Sequence, residues 1–160
     1  MVDMKPIESN SIDALFTSHG LEHIFYHELP LALKEFKRVL KPDGFALITC
    51  PDLSCLGQLI AQGKILKPIY ESPLGTITPM DILYGNSKAL KEGRYTMSHK
   101  CGLTTNILST LLVDSGFSQV GLISRKLRYD LWALATCQEW EKNLFEDLMR
   151  KYFPSSDKQY

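Results

Sequence analysis

A chain of 160 residues, 44% of them hydrophobic and 22% charged, can bury one hydrophobic core and is ordinary for a single globular domain. Its 18 Lys plus Arg balance its 18 Asp plus Glu, which excludes the basic excess expected of a nucleic-acid binder. No apolar run approaches the length of a bilayer span and no signal-peptide pattern stands at the N-terminus.

The cysteines Cys50, Cys55, Cys101 and Cys137 form no C-x-x-C pair. Cys50 and Cys137 lie inside apolar strand-like runs, where a thiol behaves as a small hydrophobe. A reduced, cytoplasmic protein without nucleic-acid or membrane partners is the expectation. Lys34, Lys37, Arg38 and Lys41 recur at helical spacing and read as a solvated helix face.

The first readable element is the short apolar run Ile12–Ser18, preceded by turn-like residues and read as a buried strand. A loop with His19 and Gly20 follows. The spacing of Leu29, Leu33, Phe36 and Leu40 predicts a helix from about His27 to Leu40, with Pro30 in its first turn. Lys41-Pro42-Asp43-Gly44 has the chemistry of a helix stop and tight turn. Phe45–Cys50 is a second buried strand, so strand, helix and strand make a parallel crossover and an α/β fold.

Asp52 is placed to cap a helix bearing Leu53, Leu56 and Ile60 and ending near Gly63. Residues 64–102 are punctuated by Pro and Gly without long periodicity and read as a functional excursion or lid. Thr104 or Thr105 caps a helix carrying Ile107, Leu108, Leu111 and Leu112, which Ser115-Gly116-Phe117 closes as a Schellman turn. Val120–Leu127 and Leu131–Cys137 form an antiparallel hairpin around Arg128–Asp130. A last amphipathic helix has Trp140, Leu144, Leu148 and Tyr152 on its apolar stripe.

Three stretches resemble the central motifs of Rossmann-like S-adenosylmethionine-dependent methyltransferases (type 11-like). They are Asn10–Ala14, then Ser18–Ile24 with its "LEH", then Ala32–Gly44, which ends "RVLKPDG" where the family has "RVLKPGG". A subgroup with "TPxDMxxG" and "MxHxxGF" segments is also similar; here these read Thr78–Gly85, TPMDILYG, and Met97–Leu103, MSHKCGL. The resemblance implies a partial methyltransferase sheet, parallel strands plus a C-terminal antiparallel hairpin, flanked by helices. The family's strands run third, second, first, fourth, fifth, seventh, sixth. Ile12–Ser18 would be the fourth and Phe45–Cys50 the fifth.

The family's glycine-rich loop has no counterpart in this sequence, so the chain is expected to start near the end of the third strand, truncated at its N-terminus. The fourth strand would then be an apolar edge guarded only by Asp13, inviting a homodimer or another partner. A monomer in sedimentation would remove that expectation.

The resemblance also implies site residues. Asp3 would accept from the adenine amino group of S-adenosylmethionine, with the Met4 N–H beside it. Ser18 and His19 would line the methyl-donor side, at the strand ends where open α/β sheets bind ligands. Asp81 and His99 lie in the excursion that would cover a small-molecule acceptor, and His99 suits a general base near neutral pH. Equally, Asp81 and His99 could simply tie the loop down. His19-x-x-Glu22-His23 matches a zinc-protease pattern, but that chemistry needs one continuous helix and a third ligand, so no metal site is expected. Glu22 reads as a cap or polar anchor and His23 as a packed or hydrogen-bonded core histidine, as readily as catalytic groups. Tyr84 and Tyr95 could stack on a ring or pack.

The sequence thus reads as one domain over 1–160 with a lid over 64–102. The expected function is methyl transfer from S-adenosylmethionine to a small-molecule acceptor. The alternative is a non-catalytic remnant serving as an interaction module.

Overall fold

The computed structural model describes residues 1–73 and 75–154. The single domain expected over 1–160 and the lid over 64–102 each include residues outside that description. Element by element, the chain runs β1 (Ile12–Ser18), α1 (Leu29–Val39), β2 (Leu40–Pro51), α2 (Leu53–Ala61), β3 (Tyr70–Ser72) and β4 (Gly75–Ile77). It continues α3 (Pro79–Tyr84), α4 (Ser87–Lys91), α5 (Thr105–Asp114), β5 (Gln119–Arg125), β6 (Asp130–Thr136) and α6 (Lys142–Tyr152).

The main sheet has the order β1-β2-β6-β5. β1 pairs parallel with β2, while β2–β6 and β6–β5 are antiparallel. This is the fourth, fifth, seventh, sixth order that the resemblance implies. β2 and β6 alternate as central strands must. Ala46, Ile48, Cys50, Leu131, Ala133 and Ala135 join a core with α1 and α5, through Leu33, Phe36, Leu108 and Leu112. The other face takes Leu47, Leu134 and Phe145 of α6.

Several expectations are corrected. β1 is not buried: it has a paired neighbour on one side only, and Phe16 is 61% exposed. Lys41–Gly44 is no turn between helix and strand, because β2 begins at Leu40, straight after α1. The register moves from Ile12↔Leu40 to Ala14↔Phe45, so the extra residues are absorbed as a bulge. A Cβ at Gly44 would come within 3.0 Å of the Asp13 carbonyl oxygen, which is why this crowded spot takes glycine.

The stretch 64–102 holds more regular structure than its punctuation suggests. It carries the β3–β4 hairpin, α3 and α4, with Ile77 and Ile82 packing on Leu56 of α2 in a small core. Elements of three to six residues are too short for periodicity to reveal. In the β5–β6 hairpin β5 ends at Arg125 rather than Leu127 and β6 keeps its expected length one residue earlier, since Arg125 pairs with Asp130 and the turn takes residues 126–129. On α6 the buried residue is Phe145, whereas Leu144 is exposed and Trp140 precedes the helix half-buried. α6 meets the sheet along Phe145, Leu148 and Met149, so Leu148 of the expected stripe packs while Phe145 takes the place of Leu144.

Other expectations hold. Asp52 caps α2 through Ser54 N at 2.8 Å, and Thr104 caps α5 through Ile107 N at 3.3 Å. The Gly116 and Phe117 N–H groups donate to the Val113 and Leu112 carbonyls, closing the Schellman turn. No helix among the described residues is long and apolar enough to cross a membrane. All four cysteines are free.

Candidate functional site at the carboxyl ends of the parallel strands

β1 and β2 are in register at their ends, Ser18 opposite Thr49, so Ser18 and Cys50 share one rim of the sheet. Outside that rim lies a cleft of about 620 Å³. Its walls include His19, Glu22 and His23 after β1, Pro51 of β2, Asp81 and His99 of the excursion, and Tyr129 of the β5–β6 turn. Four separate parts of the chain therefore meet where an open α/β sheet places ligands.

The first wall is built as β1 ends. The His19 N–H still reaches the Thr49 carbonyl at 2.9 Å, but His19 itself has φ 50°, which turns the chain away from the sheet. Leu21–His23 then make one 3-10 turn. A Cβ at Gly20 would stand 2.7 Å from Thr17 Oγ1, so the turn closes tightly on the strand. Glu22 is only 2% exposed, and its Oε1 accepts from His19 Nδ1 at 3.2 Å. That carboxylate raises the His19 pKa, burial opposing it.

The second wall is stitched to the first. Lys100 N donates to the Glu22 carbonyl at 2.7 Å, and His23 Nδ1 meets the Ser98 carbonyl at 3.0 Å. His99 Nδ1 donates to the Ile82 carbonyl at 2.7 Å, tying the end of the excursion to α3. Burial lowers the His99 pKa, with the Ile82 carbonyl opposing. The rings of His23 and His99 meet edge to face at 4.8 Å.

Asp81 has a different occupation. Burial pushes its pKa up, yet hydrogen bonds from Ser87 and Thr78 outweigh that and hold it at about 2. Its Oδ2 accepts from Thr78 N and Oγ1, its Oδ1 from Ser87 N, so it completes a capping box on α3 and clamps the start of α4. A carboxylate this weakly basic is a poor proton acceptor at neutral pH.

Because the folded pKa lies below the ordinary 3.8, the stabilisation is complete above 3.8 and is lost as pH falls toward 2. Discounted for solvent screening, Asp81→Asn should cost about 1–2 kcal/mol at neutral pH. Urea denaturation of both proteins should show the gap closing as the solution is acidified below 3.8. A gap that persists there would mean the charge is not what Asp81 contributes.

The remaining expected residues are spread out. Ser18 Oγ accepts from Thr49 Oγ1 at 3.1 Å, beside the rim. Asp3 is exposed and pairs with Lys5 at 3.2 Å. The Met4 N–H is already donated to Glu35 Oε2 at 3.0 Å, while Arg38 straps this segment onto α1 through the Met4 and Ile7 carbonyls. Met4 lines a separate groove of about 260 Å³ with Met1, Leu15 and Phe36. So the structure brings His19, Asp81 and His99 together around one cleft and sets Asp3 and Met4 apart from it. Tyr84 and Tyr95 neither pack nor line the cleft; both are exposed. Tyr70 and Tyr129, which do line it, carried no motif or periodicity that could have marked them, whereas Met97, which also lines it, opens the MSHKCGL segment but was given no role.

Residues 1–48 match a family model described as a methyltransferase domain. No curated protein matches the chain. Among solved structures, a SAM-dependent methyltransferase from Thermotoga maritima is 14% identical with a TM-score of 0.53, matched over 86% of this chain and 60% of its own. One from Methanosarcina mazei is 14% identical with a TM-score of 0.51, over 86% of this chain and 65% of its own. The CMeT domain of the citrinin polyketide synthase is also 14% identical with a TM-score of 0.51, over 86% of this chain and 30% of its own. The chain thus spans from under a third to just under two thirds of the structures it matches.

Proposed function

We propose that this chain, whose fold is that of the Rossmann-like S-adenosylmethionine-dependent methyltransferases, carries the acceptor side of a methyl-transfer site for a small molecule. The observation that carries this reading is the cleft. It opens at the carboxyl ends of two parallel strands, roofed by the excursion that follows α2, and the matched family segment, residues 1–48, includes β1 and the His19–His23 wall.

The residues present fit the cofactor in part. Asp3 has an exposed carboxylate able to accept from an amino group, and Ser18 and His19 stand at the rim on the donor side. The Met4 N–H does not fit that role while Glu35 holds it. When bound, the cofactor supplies an electrophilic methyl group on a sulfonium sulfur.

The rest is the work of this chain's side chains. His19, kept protonatable by Glu22, offers a donor or a positive charge at the cleft mouth. His99 donates Nδ1–H to Ile82, so its Nε2 lone pair is left to take the proton of an acceptor hydroxyl or amine. The excursion excludes water and aligns the acceptor, which is much of what methyl transfer requires.

Calorimetric titration of the full chain with S-adenosylmethionine, and with S-adenosylhomocysteine as the stable product analogue, tests the reading. Saturable heat with either ligand is expected. No heat at millimolar ligand would remove the cofactor from this chain and leave the non-catalytic interaction module as its function.

A further inference from the structure

We propose that Glu22, His23 and His99 form a binding site for one divalent transition-metal ion of the zinc class at the floor of the cleft. One ligand-type atom from each of the three residues lies within 4.8 Å of the other two. Ligands about 2.0–2.2 Å from a single zinc ion stand roughly 3–4 Å apart. Gathering the three groups on one ion therefore calls for their side chains to draw closer together.

Two further observations point the same way. A backbone carbonyl can only accept, so His23 donates Nδ1–H to Ser98 and His99 donates Nδ1–H to Ile82. Both rings are thereby fixed in the tautomer whose Nε2 carries a free lone pair. An imidazole held by its other nitrogen on a carbonyl is the usual outer-shell arrangement of metal-bound histidines.

The second observation is Glu22. It is 2% exposed; His19 occupies Oε1, while Oε2 is buried with no hydrogen-bond partner among the described residues. A buried carboxylate oxygen without a partner is costly, and a cation beside it removes that cost.

The donor set selects the ion. Two imidazole nitrogens and one carboxylate oxygen suit zinc and its first-row neighbours rather than magnesium or calcium, which prefer oxygen alone. Three protein ligands leave at least one coordination position open, and all three residues line the cleft, so that position faces its interior. This differs from the zinc-protease reading of His19-x-x-Glu22-His23. His19 follows a strand and only supports Glu22, and the third ligand comes from His99 on the excursion. An ion on His99 Nε2 also takes the lone pair that would otherwise accept a proton, so the two roles exclude each other. The site does not depend on methyl transfer, since ion binding and cofactor binding can each fail alone.

The test uses the full chain after chelation, titrated with Co²⁺ as a visible-absorbing probe and then with Zn²⁺. One equivalent of Co²⁺ should bind with d–d absorption and be displaced by Zn²⁺. His23→Ala and His99→Ala should each weaken binding by about 100-fold or more, while His27→Ala, an exposed histidine outside the cluster, should leave it unchanged. Should either variant fail to fold, ring-nitrogen NMR of the unaltered chain decides. Zn²⁺ should shift His23 and His99 and spare His27. Non-saturable binding, binding undiminished in folded variants, or shifts at His27 alone would overturn the site.

Discussion

Gly85→Ala is expected to destabilise the excursion by about 3 kcal/mol or more. Gly85 has φ 99° and ψ 155°, a region that residues with a side chain scarcely enter. The added Cβ would stand 2.1 Å from the Met97 carbonyl oxygen and 3.0 Å from Ser98 Cα. Both are backbone atoms, so no side chain can swing aside. The strain and the clash add, and the segment that must give way is the one next to His99.

The consequence reaches the cleft by named bonds. The Gly85 N–H closes α3 on the Asp81 carbonyl at 2.9 Å, and His99 N donates to the Tyr84 carbonyl at 3.1 Å. The Ser98 carbonyl holds His23. Displacing residues 97 and 98 therefore loosens both histidines together. Urea denaturation should record the loss of stability, and amide hydrogen exchange should quicken at His99 and Lys100 before it does in β2 or β6. A variant within about 1 kcal/mol of the parent, with unchanged exchange there, would contradict this packing of the excursion.

Asp52→Ala should cost about 2–4 kcal/mol, from a lost helix cap plus orphaned partners. Asp52 is 1% exposed and lies where β2 gives way to α2. One carboxylate oxygen accepts from Ser54 N; the other accepts from Ser124 Oγ of β5 and from Cys55 Sγ at 3.3 Å. Its backbone N–H donates to Tyr129 at 2.8 Å, and it bridges in parallel to Leu103. One residue thus joins the end of β2, the start of α2 and the β5–β6 hairpin, and the first and last of these border the cleft through Pro51 and Tyr129.

Because Ser124 and Asp52 share one bond, their losses should not add. Ser124→Ala should cost clearly less in the Asp52→Ala background than in the parent chain. Asp52→Asn should restore part of the stability by keeping an acceptor for Ser54. Additive losses, or a cost below about 1 kcal/mol for Asp52→Ala, would show that this junction is not held as described.

The sheet was legible because its central strands are apolar on both faces and its helices are long enough to show a stripe. β2 and β6 are covered by α1 and α5 on one side and by α6 on the other, so their residues carry the pattern of burial directly. β1 misled in one respect: Phe16 and Ala14 are apolar yet exposed, since an edge strand with only one neighbour need not bury what its composition offers. The excursion was legible only as punctuation. Its hairpin and helices are held by local bonds, such as Thr78 with Asp81, and by a small cluster of Ile77 and Ile82 with Leu56 of α2, too few residues for periodicity to register.

The site was half legible for a related reason. His19, Asp81 and His99 were visible as chemistry-bearing types near a strand end or in a long excursion. That Glu22 and His23 face His99 was not, because 76 residues separate His23 from His99 and only the folded stitching of Lys100 onto Glu22 brings them together. Likewise nothing in Val2-Asp3-Met4 announced that Glu35, on the next helix, would claim the Met4 N–H.

The most direct test asks where a ligand goes. Amide-resolved NMR of the full chain with S-adenosylhomocysteine should move resonances at His19, Gly20 and Glu22, with smaller changes near Asp3, and leave α5 and α6 still. Absence of change at saturating ligand, or change confined to α5, α6 or the distant hairpin edge, would contradict a ligand site at the carboxyl ends of β1 and β2.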